Sequence, residues 1–302
     1  MDDDAAHYRK YLNPELLSKL ASMDLRARLV VEGFITGLHK SPYHGFSVEF
    51  AEHRQYMPGD DIKHVDWKVY GKTNRFYVKQ FEEETNLKSY LLLDASASMG
   101  YASGGMSKLE YASYLAGALA YMMIRQRDAV GLVTFDKKIR RYLPPRSVST
   151  YLNQILLELD KTESSAETDV ATALHHLADR IKRRGLVILF SDLLDDPQAV
   201  ISGLRHFRHR NHEVIVFQIL DPMELSFDFG QDAVFKDLES QEEINTQPWH
   251  IRQDYQKQIG RFNTIYKKFC REHQIEFLSI NTTQSYDVAL LQYLLKRKRI
   301  GG

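Results

Sequence analysis

An aspartate followed by serines at alternate positions, Asp94-Ala95-Ser96-Ala97-Ser98, closes the apolar run Tyr90-Leu91-Leu92-Leu93. One carboxylate and two hydroxyls on a short loop make half of an oxygen-donor set for a hard cation. Mg2+ keeps several of its waters and is commonly held by only one or two carboxylates. A serine-rich turn after a strand is also ordinary turn chemistry, so the reading depends on further donors elsewhere in the chain. Two are present. Thr168, in Glu167-Thr168-Asp169-Val170, precedes a helix-periodic segment, and Asp192 closes a second apolar run, Leu186-Val187-Ile188-Leu189-Phe190-Ser191. If both runs are buried parallel strands, these loops share the carboxyl edge of one sheet, where open α/β sheets bind their ligands. The candidate metal ligands are Asp94, Ser96, Ser98, Thr168 and Asp192, and the ion expected is Mg2+ or Mn2+.

The elements that must position these loops follow a regular order from Asp94 onward. Helical periodicity covers Lys108 to Arg125, Val148 to Leu159, Asp169 to Arg183, Gln198 to Phe207, Trp249 to Glu272 and Asp287 to Lys296. Strand-like runs lie at Ala129 to Phe135, Ile139 to Leu143, Leu186 to Ser191, Glu213 to Leu220, Ala233 to Asp237 and Ile275 to Ile280, with Pro144-Pro145 expected to break the chain after Leu143. Strand and helix in alternation predict a doubly wound α/β sheet. Upstream, residues 14 to 37 predict a helix with Asn13 as N-cap, Pro14 at its first position and Gly37 as its stop. Residues 38 to 74 are turn-rich and lack periodicity, with Tyr56 and Trp67 as buried aromatic anchors. Arg75 to Phe81 alternates like a strand that Glu84-Thr85-Asn86 turns back as a hairpin onto the Asp94 strand. The expected division is an N-terminal helical and irregular region over 1–80 and a main domain over 81–302.

Composition excludes several classes. The 302 residues are 43% hydrophobic and 26% charged, with 40 basic against 40 acidic side chains, so no global field favours nucleic acid. The acidic Asp2-Asp3-Asp4 head and the basic Lys296-Arg297-Lys298-Arg299 tail read as solvated termini. The single Cys270 rules out an internal disulfide and, within a helical pattern, reads as packing. No apolar run reaches membrane-span length and no secretory leader opens the chain, so a cytoplasmic location is expected.

Other motifs fail on their surroundings. Gly71-Lys72-Thr73 mimics a phosphate loop, yet Asp66 stands where the earlier glycine is required. Ser96 lacks the flanking glycines of a nucleophile elbow. His206, His209 and His212 are spaced for one helix face, but the arginines between them repel a cation. His175 and His176 are adjacent and point apart. Asp60, Asp61 and Asp66 beside His53 and His64 could form an interaction surface or a web of buried turn-stabilising bonds, and the structural reading is the one favoured. Asp169 is expected to cap the helix that follows it.

The five oxygen-bearing residues match, one for one, the metal-ion-dependent adhesion site of von Willebrand factor type A domains. The stretch Ser47-Val48-Glu49-Phe50-Ala51-Glu52-His53-Arg54-Gln55-Tyr56-Met57-Pro58-Gly59-Asp60-Asp61-Ile62-Lys63-His64-Val65-Asp66-Trp67, with the Asp94 loop and Asp221-Pro222-Met223-Glu224, resembles a narrower bacterial group, the domain of unknown function 58 family. The resemblance covers nearly the whole chain. It implies an α/β fold with a doubly wound, mostly parallel, Rossmann-type sheet and an N-terminal extension. It also implies a non-enzymatic adaptor whose ion accepts an Asp or Glu carboxylate from a protein partner, with a MoxR-type AAA+ ATPase as the partner in chaperone-like assembly or maturation. The absence of membrane spans before the signature departs from many members of that group. The alternatives are a metal-dependent phosphoesterase, or a scaffold with a vestigial metal site.

Overall fold

The computed structural model describes residues 23–40, 53–56, 67, 70–71, 74–79, 88–165, 169–230, 233–236 and 243–301. In chain order these contain helix α1 (Met23–Lys40), strands β1 (His53–Gln55), β2 (Tyr77–Lys79) and β3 (Lys88–Asp94), and helix α2 (Lys108–Arg125). Strands β4 (Ala129–Phe135) and β5 (Ile139–Arg146) lead to helices α3 (Ser149–Asp160) and α4 (Val170–Arg180). Then come β6 (Leu186–Ser191), α5 (Pro197–His209), β7 (Glu213–Leu220) and the short helix α6 (Pro222–Ser226). Strands β8 (Ala233–Lys236) and β9 (Glu243–Thr246), the long helix α7 (Pro248–Glu272), β10 (Glu276–Asn281) and α8 (Asp287–Gly301) complete the order.

Six strands form one sheet in the order β10-β7-β6-β3-β4-β5, parallel throughout except that β5 runs antiparallel to β4. The continuous apolar runs of β3 and β6 follow from burial on both faces, as parallel sheets require. Leu91 and Leu93 enter a core with residues of α1, α2, α3 and α8, whereas Tyr90 and Leu92 enter a second core with α4, α5 and α7. Helix α1 contributes Met23, Ala27, Val30 and Val31 to the first core. Cys270 is buried in the second, in keeping with a packing role.

Several local expectations are corrected. Both edges of β3 are occupied, by β4 and β6, so the strand after Arg75 has no free edge there. It pairs instead with β1 in a separate two-stranded sheet, Arg54 opposite Val78. Helix α1 runs through Gly37 to Lys40; an interior glycine costs only about 1 kcal/mol, and core packing of the helix outweighs that. Pro144 and Pro145 lie inside β5, which is tolerated because β5 is an edge strand with register irregularities against β4. The Ala233 strand pairs with β9 in a hairpin apart from the main sheet. Trp67 is 58% exposed and meets Tyr70 edge-on, so it does not anchor by burial. Lys296 is buried and bonded to Glu213 at 2.8 Å, unlike a solvated tail residue. Asn13, Pro14 and the loop Pro58-Gly59-Asp60-Asp61 lie outside the described residues.

Candidate metal centre

The carboxyl ends of β3, β6 and β7 bring three acidic loops to one edge of the sheet. Asp94 is the last residue of β3 and is fully buried. Its Oδ1 accepts the backbone N–H of Ser96 at 2.9 Å, and its Oδ2 accepts the hydroxyl of Ser191 at 2.6 Å. The Ser96 and Ser98 hydroxyls stand 3.2 Å apart, with Ser96 buried and Ser98 half-buried. A single 3-10 turn over Ala97–Gly100 follows, with Ser96 as its N-cap and Ser98 inside it. Gly100 lets Ser164 approach closely, since a Cβ at that position would lie 2.5 Å from the Ser164 hydroxyl oxygen and would make that side chain shift.

Asp192 is 1% exposed and follows Ser191, so the Ser191 bond to Asp94 draws the β6 loop against the β3 loop. Its Oδ1 accepts the Leu194 N–H at 3.0 Å across a turn in which Leu193 adopts a left-handed backbone, φ +59°. A non-glycine residue in that region marks a constrained turn, and the turn fixes the Asp192 carboxylate. Burial, then the negative charge of Asp192, pushes the Asp94 carboxyl up to about 7. The two acids thus face each other at close quarters in a low-dielectric edge.

Thr168 lies outside the described residues. The chain on either side of it is described. Ser165 donates its backbone N–H to the Ala95 carbonyl at 2.8 Å, and Asp169 caps α4 by accepting the Thr172 N–H at 2.9 Å. Ser165 is therefore held against the Asp94 loop.

A group the motif reasoning passed over completes the edge. Lys108, the first residue of α2, has a fully buried ammonium that donates to Asp192 Oδ2 at 2.7 Å and to Glu224 Oε1. Burial alone would lower its pKa, but Asp192 and Glu224 override that and raise it. Glu224 is raised as well, because burial outweighs its bond to Lys108. The second oxygen of Glu224 accepts the Asp221 N–H at 2.8 Å, and Asp221 accepts the Met223 N–H at 2.7 Å, which closes a capping box on α6. Asp221 also accepts the Ser103 N–H at 2.9 Å and the Ser103 hydroxyl. Loops after β3, β6 and β7 are thereby laced through one lysine. A lysine in the first turn of a helix opposes the macrodipole, and that misplacement is the sequence signal that could have singled it out.

The histidines do not converge here. His212 is buried with Nε2 3.1 Å from the Ile181 carbonyl oxygen, while His206 meets His175 across α4 and α5, their Nδ1 atoms 3.3 Å apart. Among the described residues no cluster of three or more His, Cys, Asp or Glu forms a metal site. The donor set at the sheet edge nevertheless fits a hard divalent cation. Asp94, Ser96, Ser98 and Asp192 offer only oxygens, and a cation would relieve the repulsion between the two buried acids.

An open α/β sheet with a D-x-S-x-S loop at its carboxyl edge defines a von Willebrand factor type A-like protein, and this chain has that fold. Residues 52–264 match the family model described as "Protein of unknown function DUF58". The chain belongs to that family. It is similar to an uncharacterized protein of Mycobacterium tuberculosis, 24% identical over 292 residues that cover 95% of this chain and 91% of the relative. Among solved structures it is similar to the conserved hypothetical protein BatB from Bacteroides thetaiotaomicron, with TM-score 0.46 and 15% identity over 70% of this chain and 98% of that one. It is also similar to the SpRpn10 VWA domain, with TM-score 0.40 and 10% identity over 70% of this chain and 94% of that one. No helix of the described residues is long and apolar enough to cross a membrane.

Proposed function

We propose that the chain is a non-enzymatic, metal-dependent adaptor for protein–protein interaction, in which Asp94, Ser96, Ser98, Thr168 and Asp192 hold Mg2+ or Mn2+. The observation that carries this reading is the pair of buried carboxylates, Asp94 and Asp192, set beside two hydroxyls at the carboxyl edge of the sheet. When bound, the ion supplies a coordination position for an external Asp or Glu carboxylate. The protein's own groups orient the site: Ser191 and the Ser96 amide hold Asp94, and the Leu193 turn and Lys108 hold Asp192.

Hydrolysis needs a free general base within reach of a water. Glu224 is committed to Lys108 and to the Asp221 amide, and Asp195 accepts the Asp196 N–H at 2.7 Å. This favours binding over phosphoester cleavage. The family resemblance supplies the partner class, a MoxR-type AAA+ ATPase acting in chaperone-like assembly or maturation, and the working compartment is the cytoplasm.

The test is retention of a purified MoxR-type ATPase on the immobilised full chain, in Mg2+ and in EDTA, with wild type and Asp94→Ala. Retention by wild type in Mg2+ alone is expected, with loss in EDTA and in the variant. Equal retention in all arms would leave only a scaffold with a vestigial site. Hydrolysis of para-nitrophenyl phosphate that disappears in Asp94→Ala would favour the phosphoesterase.

A further inference from the structure

The charge of Lys108 is an unusual neighbour for a divalent ion. Its ammonium is fully buried, bonds Asp192 Oδ2 at 2.7 Å and shares its remaining charge with Glu224. Asp192 is one of the two acids available to the ion, so part of its negative charge is already committed. Among the described residues, the hydrogen bonds to the Asp94 carboxylate come, by contrast, from neutral groups, the Ser96 amide and the Ser191 hydroxyl.

We infer that Lys108 sets the cation affinity of the site: it competes for the Asp192 charge, and Glu224 tempers that competition by neutralising Lys108 in turn. The inference rests on the metal-site reading above and deepens it. With Asp192 partly spoken for, the protein cancels less of a bound ion's charge, and the ion retains more attraction for an outside carboxylate. Lys108 thus disfavours tight capture of the metal alone and favours joint capture of metal and acidic partner. Glu224 connects this balance to the β7 loop, because its second oxygen holds the Asp221 amide and Asp221 holds Ser103. Coupling between sites is reciprocal: whatever loosens Lys108 from Asp192 strengthens cation binding, and cation binding loosens Lys108.

A purely structural Lys108 gives a different outcome. Were it only a fold-stabilising ion pair, removing its charge would disorder the Asp192 loop and weaken metal binding. Competition predicts opposite signs for the two neighbours. Lys108→Met removes the competing positive charge and should tighten Mn2+ binding by about tenfold, within the usual range of coupling between sites. Glu224→Gln keeps the shape but leaves Lys108 less neutralised, and should weaken Mn2+ binding about threefold to tenfold.

The experiment is isothermal titration of the full chain with Mn2+ alone, for wild type, Lys108→Met and Glu224→Gln, with circular dichroism to confirm folding. Tighter binding by the first variant and weaker binding by the second support the inference, as does binding detected in Lys108→Met when wild type shows none. Binding by wild type with unchanged or weaker affinity in Lys108→Met overturns the inference and leaves the metal site standing. No binding by any of the three overturns both. If Lys108→Met does not fold, Glu224→Gln decides, and an affinity equal to or above wild type overturns the inference.

Discussion

The two ends of the central sheet handle buried charge in opposite ways. At the amino edge, Glu213 opens β7 and receives Lys296 at 2.8 Å, Arg208 at 3.3 Å and Arg184 at 3.8 Å. Burial pushes the Glu213 carboxyl up, but Lys296 and Arg208 hold it below its ordinary value. At the carboxyl edge, Asp192 and Glu224 share the ammonium of Lys108 while Asp94 feels the negative charge of Asp192, and both Asp94 and Glu224 are raised. One acid among several cations is a satisfied brace. Two acids on one cation beside a third acid remain in mutual repulsion, which costs stability. Under the proposed function, the contrast is between a structural ion-pair network and a cation-binding one.

The contrast is sharpened by breaking each network in turn. Lys108→Met leaves Asp192 and Glu224 buried without their cation and should cost about 3–5 kcal/mol in EDTA, measured by urea unfolding. Millimolar Mn2+ should return part of that loss. Glu213→Gln should cost less, about 1–3 kcal/mol, because the Glu213 side chain is 19% exposed and its interactions are partly screened. Mn2+ should return none of it. Rescue of Glu213→Gln by the ion, or failure to rescue Lys108→Met, would erase the distinction between the two edges.

Acid probes the amino edge further. His212 is buried there, and burial lowers its pKa below the ordinary 6.5 even though the Ile181 carbonyl and the backbone at Gly185 oppose that shift. The unfolded chain therefore takes up this proton first. The stability tied to neutral His212 is fully present above pH 6.5 and is lost as the pH falls through 6.5 toward the lower folded value. Urea midpoints between pH 7.5 and pH 5 (about two units of titration) should fall more steeply in wild type than in His212→Gln; parallel slopes would remove His212 from the account. The smallest effect concerns Cys270, whose thiol is buried and pushed up to about 12. It should react with Ellman's reagent only after unfolding, and prompt native reaction would show that the second core opens.

Much of this was legible in the chain itself. Apolar runs ending in Asp94 and Asp192 announced two strands of a parallel sheet, because strands buried on both faces must be apolar throughout, and their terminal carboxylates fell at the ligand-binding edge. Asp169 was recognisable as a cap from its place before a periodic segment. Pairing across the fold was not legible. Lys108 meets partners 84 and 116 positions away, and no local pattern states which buried lysine faces which acid. The Asp221-Pro222-Met223-Glu224 sequence carried a capping box in plain form, yet its second role, holding Lys108, appears only once β7 lies beside β6. Pro144 and Pro145 misled for a related reason: a proline forbids a central strand and permits an edge, and edge position is a property of the assembled sheet.

In the proposed function, the carboxyl edge carries acidic repulsion that a divalent ion relieves. Thermal unfolding of wild type and Asp94→Asn, each in EDTA and in millimolar Mn2+, tests it most directly. Mn2+ should raise the melting temperature of wild type alone, and in EDTA the Asn variant should melt at or above wild type. An equal response of both proteins to Mn2+, or an Asn variant that melts well below wild type in EDTA, would contradict it.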